Sequence, residues 1–280
     1  MADQKMVRIC SAQISSIWED PYKTLKKAET FIHHAAVSGA DLICFPEQFA
    51  TGWDPRSGKN LQNSDGMIIS SLRVMAKENG IGILGSFRER YDPLPKNTVV
   101  AIGDDGRILG TYAKMHLFSP GEENEGFTPG SELGLFTIGS LRCGIAVCYD
   151  LRFPDLFRIY AQNGVHAVFV PAAWPKTRIR HWELFIQARA LENQIFVTGI
   201  NTTGITPVDS YEGASMTADP HGTIICRANE AEQLLFCDLD PSAIDKARKE
   251  LPVARDRKDH VYERLGKKAD EIAIPISKNR

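Results

Sequence analysis

A chain of 280 residues with 43% apolar and 24% charged residues carries enough apolar surface for a packed core. A net charge of −2 removes the usual grounds for expecting nucleic acid or an acidic membrane as partner. Cys10, Cys44, Cys143, Cys148, Cys226 and Cys237 are scattered without a CxxC pair, which excludes a zinc ribbon or thioredoxin motif, and with no apolar signal region in residues 1–5 and no run long enough for a membrane span, a reducing, cytoplasmic setting is expected.

Residues 7–13 read as a first strand. Asp20-Pro21 opens a helix, an N-cap carboxylate followed by proline at the first helical position. Leu25, Ala28, Phe31, Ile32 and Ala35 recur at helical spacing as far as Val37, and Gly39 stops the helix. Residues 41–45 are nearly all apolar, as in a strand covered on both faces, and lead into Pro46-Glu47-Gln48. Strand, helix, strand predicts parallel pairing through a right-handed crossover. A polar loop over 51–63 precedes a helix over 64–79. Strands follow at 81–90, 98–102 and 108–114, the last two joined by the hairpin turn Asp104-Asp105-Gly106. Residues 115–130 form a loop rich in Gly, Pro and Glu, of a length that usually serves function. The apolar strand 143–147 breaks into the polar elbow Cys148-Tyr149-Asp150-Leu151-Arg152, and Phe153-Pro154-Asp155 opens a helix to about Gln162. A strand at 165–170, the strand-end turn Pro171-Ala172-Ala173-Trp174-Pro175, a helix over 179–192 and a strand at 195–200 come next. Strands at 214–218, 223–226 and 233–238 and a helix over 241–250 complete the pattern, with a turn at Pro220-His221-Gly222 and a polar, charged tail from about Leu251. No linker or short repeat divides the chain, so residues 1–280 read as one layered α/β domain.

Three reactive side chains share one context: Glu47, Lys114 and Cys148 each stand at the carboxyl end of a predicted strand. A free cysteine is most often a small core residue. Cys148 differs because ligands in open α/β sheets bind at strand carboxyl ends, and main-chain N–H groups near a helix start favour a thiolate. A carboxylate can take the thiol proton, and a lysine can hold first the thiolate and then the oxyanion of a tetrahedral intermediate. The main-chain N–H of Tyr149 is a candidate second oxyanion donor.

Phe45-Pro46-Glu47, Lys114-Met115-His116-Leu117-Phe118 and Cys148-Tyr149-Asp150-Leu151-Arg152-Phe153-Pro154 resemble, in order, the three signatures of the nitrilase, or carbon–nitrogen hydrolase, superfamily. The resemblance spans residues 7 to about 239. It implies a four-layer α-β-β-α sandwich in which Glu47 is the base, Lys114 the cation on the oxyanion side and Cys148 the nucleophile. It further implies no metal or other cofactor, and homodimers or larger homo-oligomers built by sandwich-to-sandwich packing. A second glutamate is implied seven residues before the glycine of Phe127-Thr128-Pro129-Gly130. That count gives Glu123, with Glu122 and Glu125 close by. Trp174-Pro175-Lys176, Arg178, His181-Trp182 and residues 188–193 resemble the amidase branches, nearest the ω-amidase-like branch, which acts on amides of dicarboxylic or 2-oxo acids. The implied substrate is a small linear carboxamide cleaved through a thioester. A nitrile or N-carbamoyl hydrolase on the same triad, or a catalytically silent scaffold, are the alternatives. Trp174 is expected to line the pocket. Arg152 either grips a substrate carboxylate or braces the elbow through Asp150 or Asp155. Arg189 and Glu192, three apart on a helix, suit an ordinary ion pair.

Some motifs point elsewhere. Gly80-Ile81-Gly82-Ile83-Leu84-Gly85 matches GxGxxG, but a helix precedes it and a strand follows, the reverse of a dinucleotide-binding turn. The neighbours His33 and His34 face different sides of a helix and suit no metal pair. Asn201-Thr202-Thr203 matches a glycosylation sequon without a secretion signal to give it meaning. His116 fits a structural hydrogen bond better than a catalytic role.

Overall fold

The computed structural model describes residues 5–271. Among the described residues fourteen strands enter in chain order: β1 (Val7–Gln13), β2 (Leu42–Cys44), β3 (Gly82–Glu89), β4 (Lys96–Ile102), β5 (Ile108–Ala113), β6 (Gly134–Ile138), β7 (Leu141–Ile145), β8 (Ala167–Ala172), β9 (Phe196–Asn201), β10 (Thr203–Ile205), β11 (Ser210–Glu212), β12 (Met216–Ala218), β13 (Ile224–Arg227) and β14 (Gln233–Leu239). The helices are α1 (Pro21–Val37), α2 (Met67–Asn79), α3 (Glu123–Gly126), α4 (Pro154–Gln162), α5 (Ile179–Asn193), α6 (Ser242–Glu250), α7 (Val253–Asp256) and α8 (Asp259–Glu271).

Twelve strands form two six-stranded sheets, ordered β14-β1-β2-β3-β4-β5 and β13-β12-β9-β8-β7-β6, and β10-β11 form a separate hairpin. The two sheets repeat one topology. In the first, β1, β2 and β3 run parallel through α1 and α2, β14 flanks β1 antiparallel, and β4 and β5 continue antiparallel beyond β3. In the second, β7, β8 and β9 run parallel through α4 and α5, β6 flanks β7, and β12 and β13 continue beyond β9. Similar topology without similar residues leaves no repeat for sequence periodicity to register.

Strand alternation sorts side chains into layers. Val7, Ile9, Leu42, Cys44, Leu84, Val99 and Ala101 point into a core shared with the second sheet. Cys10, Ala12, Ile43, Phe45, Ile83, Val100 and Ile102 point the other way, onto Leu25, Ala28 and Ile32 of α1 and Ile69 and Leu72 of α2. Helices α4 and α5 cover the second sheet with Phe157, Tyr160, Trp182 and Ile186. The layers run α-β-β-α, and each fully buried Leu, Ile or Phe contributes about 1.5–3 kcal/mol to holding them together. Asp20 caps α1 by accepting from the Lys23 N–H (3.0 Å), with proline next in the chain.

The structure departs from the sequence reading in several places. Helix α2 begins at Met67 rather than Ser64, and β4 begins at Lys96, which brings Asn97 into the sheet. Strand β6 and the hairpin β10-β11 carry no clear alternation and were not anticipated. The strand expected from Ala214 starts at Met216, because Ala214 adopts a φ of 58° that no strand accommodates. Strand β7 ends at Ile145, so Cys148 does not end a strand. It opens a short 3₁₀ turn, Cys148–Arg152, at a φ of 45°. The polar tail contains α7 and α8.

Candidate active site

The first sheet delivers two of the reactive groups. The Phe45 N–H donates to the Leu84 carbonyl (2.8 Å), one step past β2, and the chain then turns at Gln48, φ 48°, with Glu47 facing inward. Lys114 follows β5 directly. The β4–β5 register pairs Thr98 with Ala113, so Asn97 stands opposite Lys114, whose N–H donates to the Asn97 carbonyl (2.9 Å).

The long loop after Lys114 folds over these residues and presents Glu123 as the first residue of α3. Glu123 is fully buried. Glu122 turns outward to pair with Arg56, and Glu125 is exposed. Among the three glutamates, Glu123 is the one that reaches Lys114.

Lys114 Nζ lies 2.8 Å from Glu47 Oε1 and 2.7 Å from Glu123 Oε2, with all three side chains out of water. The donor count then separates the carboxylates. Glu123 accepts from Lys114, the Phe118 N–H (2.7 Å), Asn97 Nδ2 (3.1 Å) and Trp53 Nε1 (3.4 Å), which uses its four lone-pair directions. Glu47 accepts from Lys114, Asn97 Nδ2 (2.7 Å) and the Ala173 N–H (3.0 Å), leaving one direction open. Burial raises the Glu47 pKa; Lys114 pulls it down and the Glu123 charge pushes it up, and the net direction is upward. Burial alone would lower the Lys114 pKa, but the charges of Glu123 and Glu47 outweigh it and hold the ammonium. The Cys148 thiol is pushed well above its ordinary value, first by burial and then by Glu47, with Lys114 opposing. Free cysteine here is a thiol facing a carboxylate that has room for its proton.

The elbow is braced from β5, from the loop after it and from α5. Asp150 Oδ2 accepts from the Tyr112 hydroxyl of β5 (2.8 Å) and the Val147 N–H (2.8 Å). Its Oδ1 accepts from the His116 N–H (2.9 Å) and faces His116 Nδ1 (2.8 Å). Arg189 Nε donates to the Leu151 carbonyl (3.0 Å), besides pairing with Glu192 (3.0 Å). These contacts offset the left-handed backbone at Cys148, which costs on the order of 1–3 kcal/mol.

Cys148 and Lys114 open into a cleft lined also by Trp53, Phe118, Tyr149, Arg152, Trp174, Arg178 and Tyr211. Arg152 lies over the Trp174 ring (4.8 Å to the centroid) and contacts His181 Nδ1 (3.3 Å), not Asp150; Asp155 pairs with Arg158 (3.4 Å). Arg152 therefore lines the cleft rather than bracing the elbow. Arg178 lies over Phe118 (5.3 Å). Among the described residues neither arginine has a carboxylate partner, while Asp209, also on the cleft wall, turns Oδ1 to the Ser210 N–H (2.8 Å). Among the described residues no group of three His, Cys, Asp or Glu is placed to hold a metal ion.

Two asparagines escaped the sequence reading. Asn97 is not reached by counting back from the Asp104-Asp105-Gly106 turn, because a bulge between Ala101 and Ile102 shifts the register by one residue and brings Asn97 rather than Lys96 opposite Lys114. Asn201, the sequon asparagine, is fully buried. It accepts from the Trp174 N–H (2.7 Å) and donates to the carbonyls of Trp174 (3.1 Å) and Gly213 (2.7 Å), fixing the cleft wall.

A two-sheet α-β-β-α sandwich with a thiol at an inter-sheet elbow is the architecture of a nitrilase-type hydrolase. The chain belongs to the carbon–nitrogen hydrolase family, whose model matches residues 8–249. The 2-oxoglutaramate amidase of Bacillus subtilis is 32% identical over 256 residues, covering 91% of this chain and 98% of the relative. Omega-amidase NIT2 of Homo sapiens is 31% identical over 261 residues, covering 89% and 94%. Among solved structures, a CN-hydrolase superfamily protein from Xanthomonas campestris with an arsenic adduct in its active site superposes with a TM-score of 0.86 at 27% identity, covering 91% of this chain and 98% of that one. A glutamate-to-glutamine variant of the amidase from Nesterenkonia sp. AN1, with the acetamide moiety of fluoroacetamide added covalently at its active-site cysteine, superposes at 0.82 with 25% identity, covering 93% and 97%.

Proposed function

We propose that this protein hydrolyses a small linear carboxamide to the acid and ammonia through a thioester on Cys148. The observation that carries the reading is the open acceptor direction on Glu47 beside the thiol, with Lys114 between two carboxylates. Cys148 Sγ attacks the amide carbon as its proton passes to Glu47. The oxyanion is held by Lys114 and the Tyr149 N–H. Glu47 returns the proton to the leaving nitrogen, ammonia departs, and a thioester remains. Glu47 then deprotonates a water that attacks the thioester, releasing the acid and restoring the thiol. Glu123, with its acceptor directions filled, orients Lys114.

The amide we propose is that of a dicarboxylic or 2-oxo acid. Arg152 and Arg178, without carboxylate partners among the described residues, suit the far carboxylate, and the names of the B. subtilis and human relatives point the same way. Trp174 supplies the apolar wall. Ammonia release from a panel of monoamides, nitriles and N-carbamoyl compounds tests the class. Turnover of nitriles or carbamoyl compounds alone would move the activity to another branch, and no turnover of any would leave a silent scaffold. The same reading includes a homodimer through the outer face of α5, where Leu184 and Leu191 are exposed, with sedimentation equilibrium as its test. No described helix is long and apolar enough to cross a membrane. The free cysteines suit a reducing, cytoplasmic setting.

A further inference from the structure

We infer that Asn97 is a positioning residue that keeps Glu47 ionised and holds both carboxylates against Lys114. The inference rests on the roles proposed above for Glu47, Lys114 and Cys148. Asn97 is fully buried near the start of β4 and touches three parts of the cluster. Its carbonyl accepts from the Lys114 N–H (2.9 Å). Its Nδ2 donates to Glu47 Oε1 (2.7 Å) and Glu123 Oε1 (3.1 Å).

A primary amide nitrogen has two hydrogens, and here each meets a different carboxylate. Lys114 brings one positive charge to two buried negative ones, so the cluster needs further donors. A neutral amide adds two donors and no charge. Its orientation follows from the same chemistry, since a flipped amide would turn its oxygen toward two acceptors. Asn97 Oδ1 is left without a partner among the described residues. An unmatched acceptor is tolerated there, and both N–H groups stay on the carboxylates.

Donors to a carboxylate favour its charged form. Glu47 is already pushed upward by burial and by Glu123. Without Asn97 it protonates at still higher pH, and a protonated Glu47 cannot take the thiol proton. The loss should therefore fall on kcat and on the acid side of the pH profile, with little change in KM, because Asn97 does not line the cleft.

The test compares wild type, Asn97→Leu, Asn97→Ser and the neighbour control Thr98→Val, whose hydroxyl bonds Glu89 (2.7 Å) away from the cluster. In Asn97→Leu the acid limb of kcat/KM should move up by about one pH unit, an extra tenfold loss on that side, as expected for one charge-assisted hydrogen bond. Asn97→Ser should move it the same way, and Thr98→Val should leave it in place. A parallel infrared titration follows the protonated-carboxyl band that Glu47→Gln removes, and needs no substrate. That band should appear at higher pH in Asn97→Leu than in wild type. An acid limb and carboxyl band unmoved in both Asn97 variants would overturn the inference. So would a failure of both variants to fold, which would make Asn97 a folding residue. If the wild type turns over no carboxamide, the proposed function falls and the infrared titration still decides the role of Asn97.

Discussion

Replacing both cleft arginines should erase the preference for a charged substrate. Arg152 and Arg178 are each partly exposed, and each lies over an aromatic ring rather than against a carboxylate. A charge-assisted hydrogen bond to a substrate carboxylate contributes about 1.5–3 kcal/mol. Water on one side of each arginine holds the contact near the bottom of that range, about tenfold in kcat/KM apiece and about a hundredfold together. The assay is ammonia release from the monoamide of a four-carbon dicarboxylic acid and from its methyl ester. Wild type should favour the acid by about a hundredfold, Arg152→Gln or Arg178→Gln by about tenfold, and the double variant hardly at all. Losing Arg152 also loosens its packing on Trp174, but both substrates suffer that loss and the ratio cancels it. Equal rates on acid and ester in wild type would remove the carboxylate site. A preference that survives the double variant would move it to other residues.

Cys148→Ala should abolish turnover without unfolding the chain, whereas Cys143→Ala, deep in the inter-sheet core, should keep activity and lose on the order of 1 kcal/mol of stability in urea melts. The reverse pattern would displace the nucleophile. Because Glu47 must be ionised to act and its pKa is raised, kcat/KM on an uncharged amide should fall on the acid side at a pH above the ordinary 4.5; a limb at or below that value would take the base role from Glu47. Lys114→Met leaves two buried carboxylates without their cation and should cost about 3–5 kcal/mol near pH 8. Folding already favours protonated Glu47, so the cost of its burial is absent below about 4.5, grows as pH rises toward the raised value, and is full above it. The Lys114→Met deficit should therefore shrink between about pH 8 and about pH 5, and an equal deficit at both would refute this account.

Strand-end positions were the legible part of the site. Apolar runs that stop at Phe45 and Val147 announce a change of environment: Glu47 and Cys148 each stand three residues past the end of their strands, β2 and β7, and Lys114 directly follows β5. Cys148 was placed correctly beside a turn but not by a strand that reaches it, because Ala146 and Val147 are buried without belonging to β7. Which glutamate turns inward depends on Glu122 adopting a φ of 61°, a backbone choice that neighbouring acidic residues do not advertise. The role of Asp150 was hidden for another reason: its partners Tyr112 and His116 come from β5 and the loop after it, more than thirty residues away, so no local spacing links them. Layer alternation in β1 to β4 was legible because period two survives whatever packs on each face; the matching order of the two sheets was not, since it resides in connectivity alone.

The inter-sheet placement of the cluster has a consequence for the nascent and partly unfolded chain. Glu47, Asn97 and Lys114 ride on the first sheet, while Cys148 and the Ala173 N–H ride on the second. A chain with only one sheet assembled holds either a carboxylate with nothing to deprotonate or a thiol with no base. Such a chain cannot acylate itself on passing amides, and the same separation makes turnover a gauge of how tightly the two halves are closed. Slight prying apart of the sandwich, by heat or by a cavity in the shared core, should silence the protein while both sheets still look intact to circular dichroism.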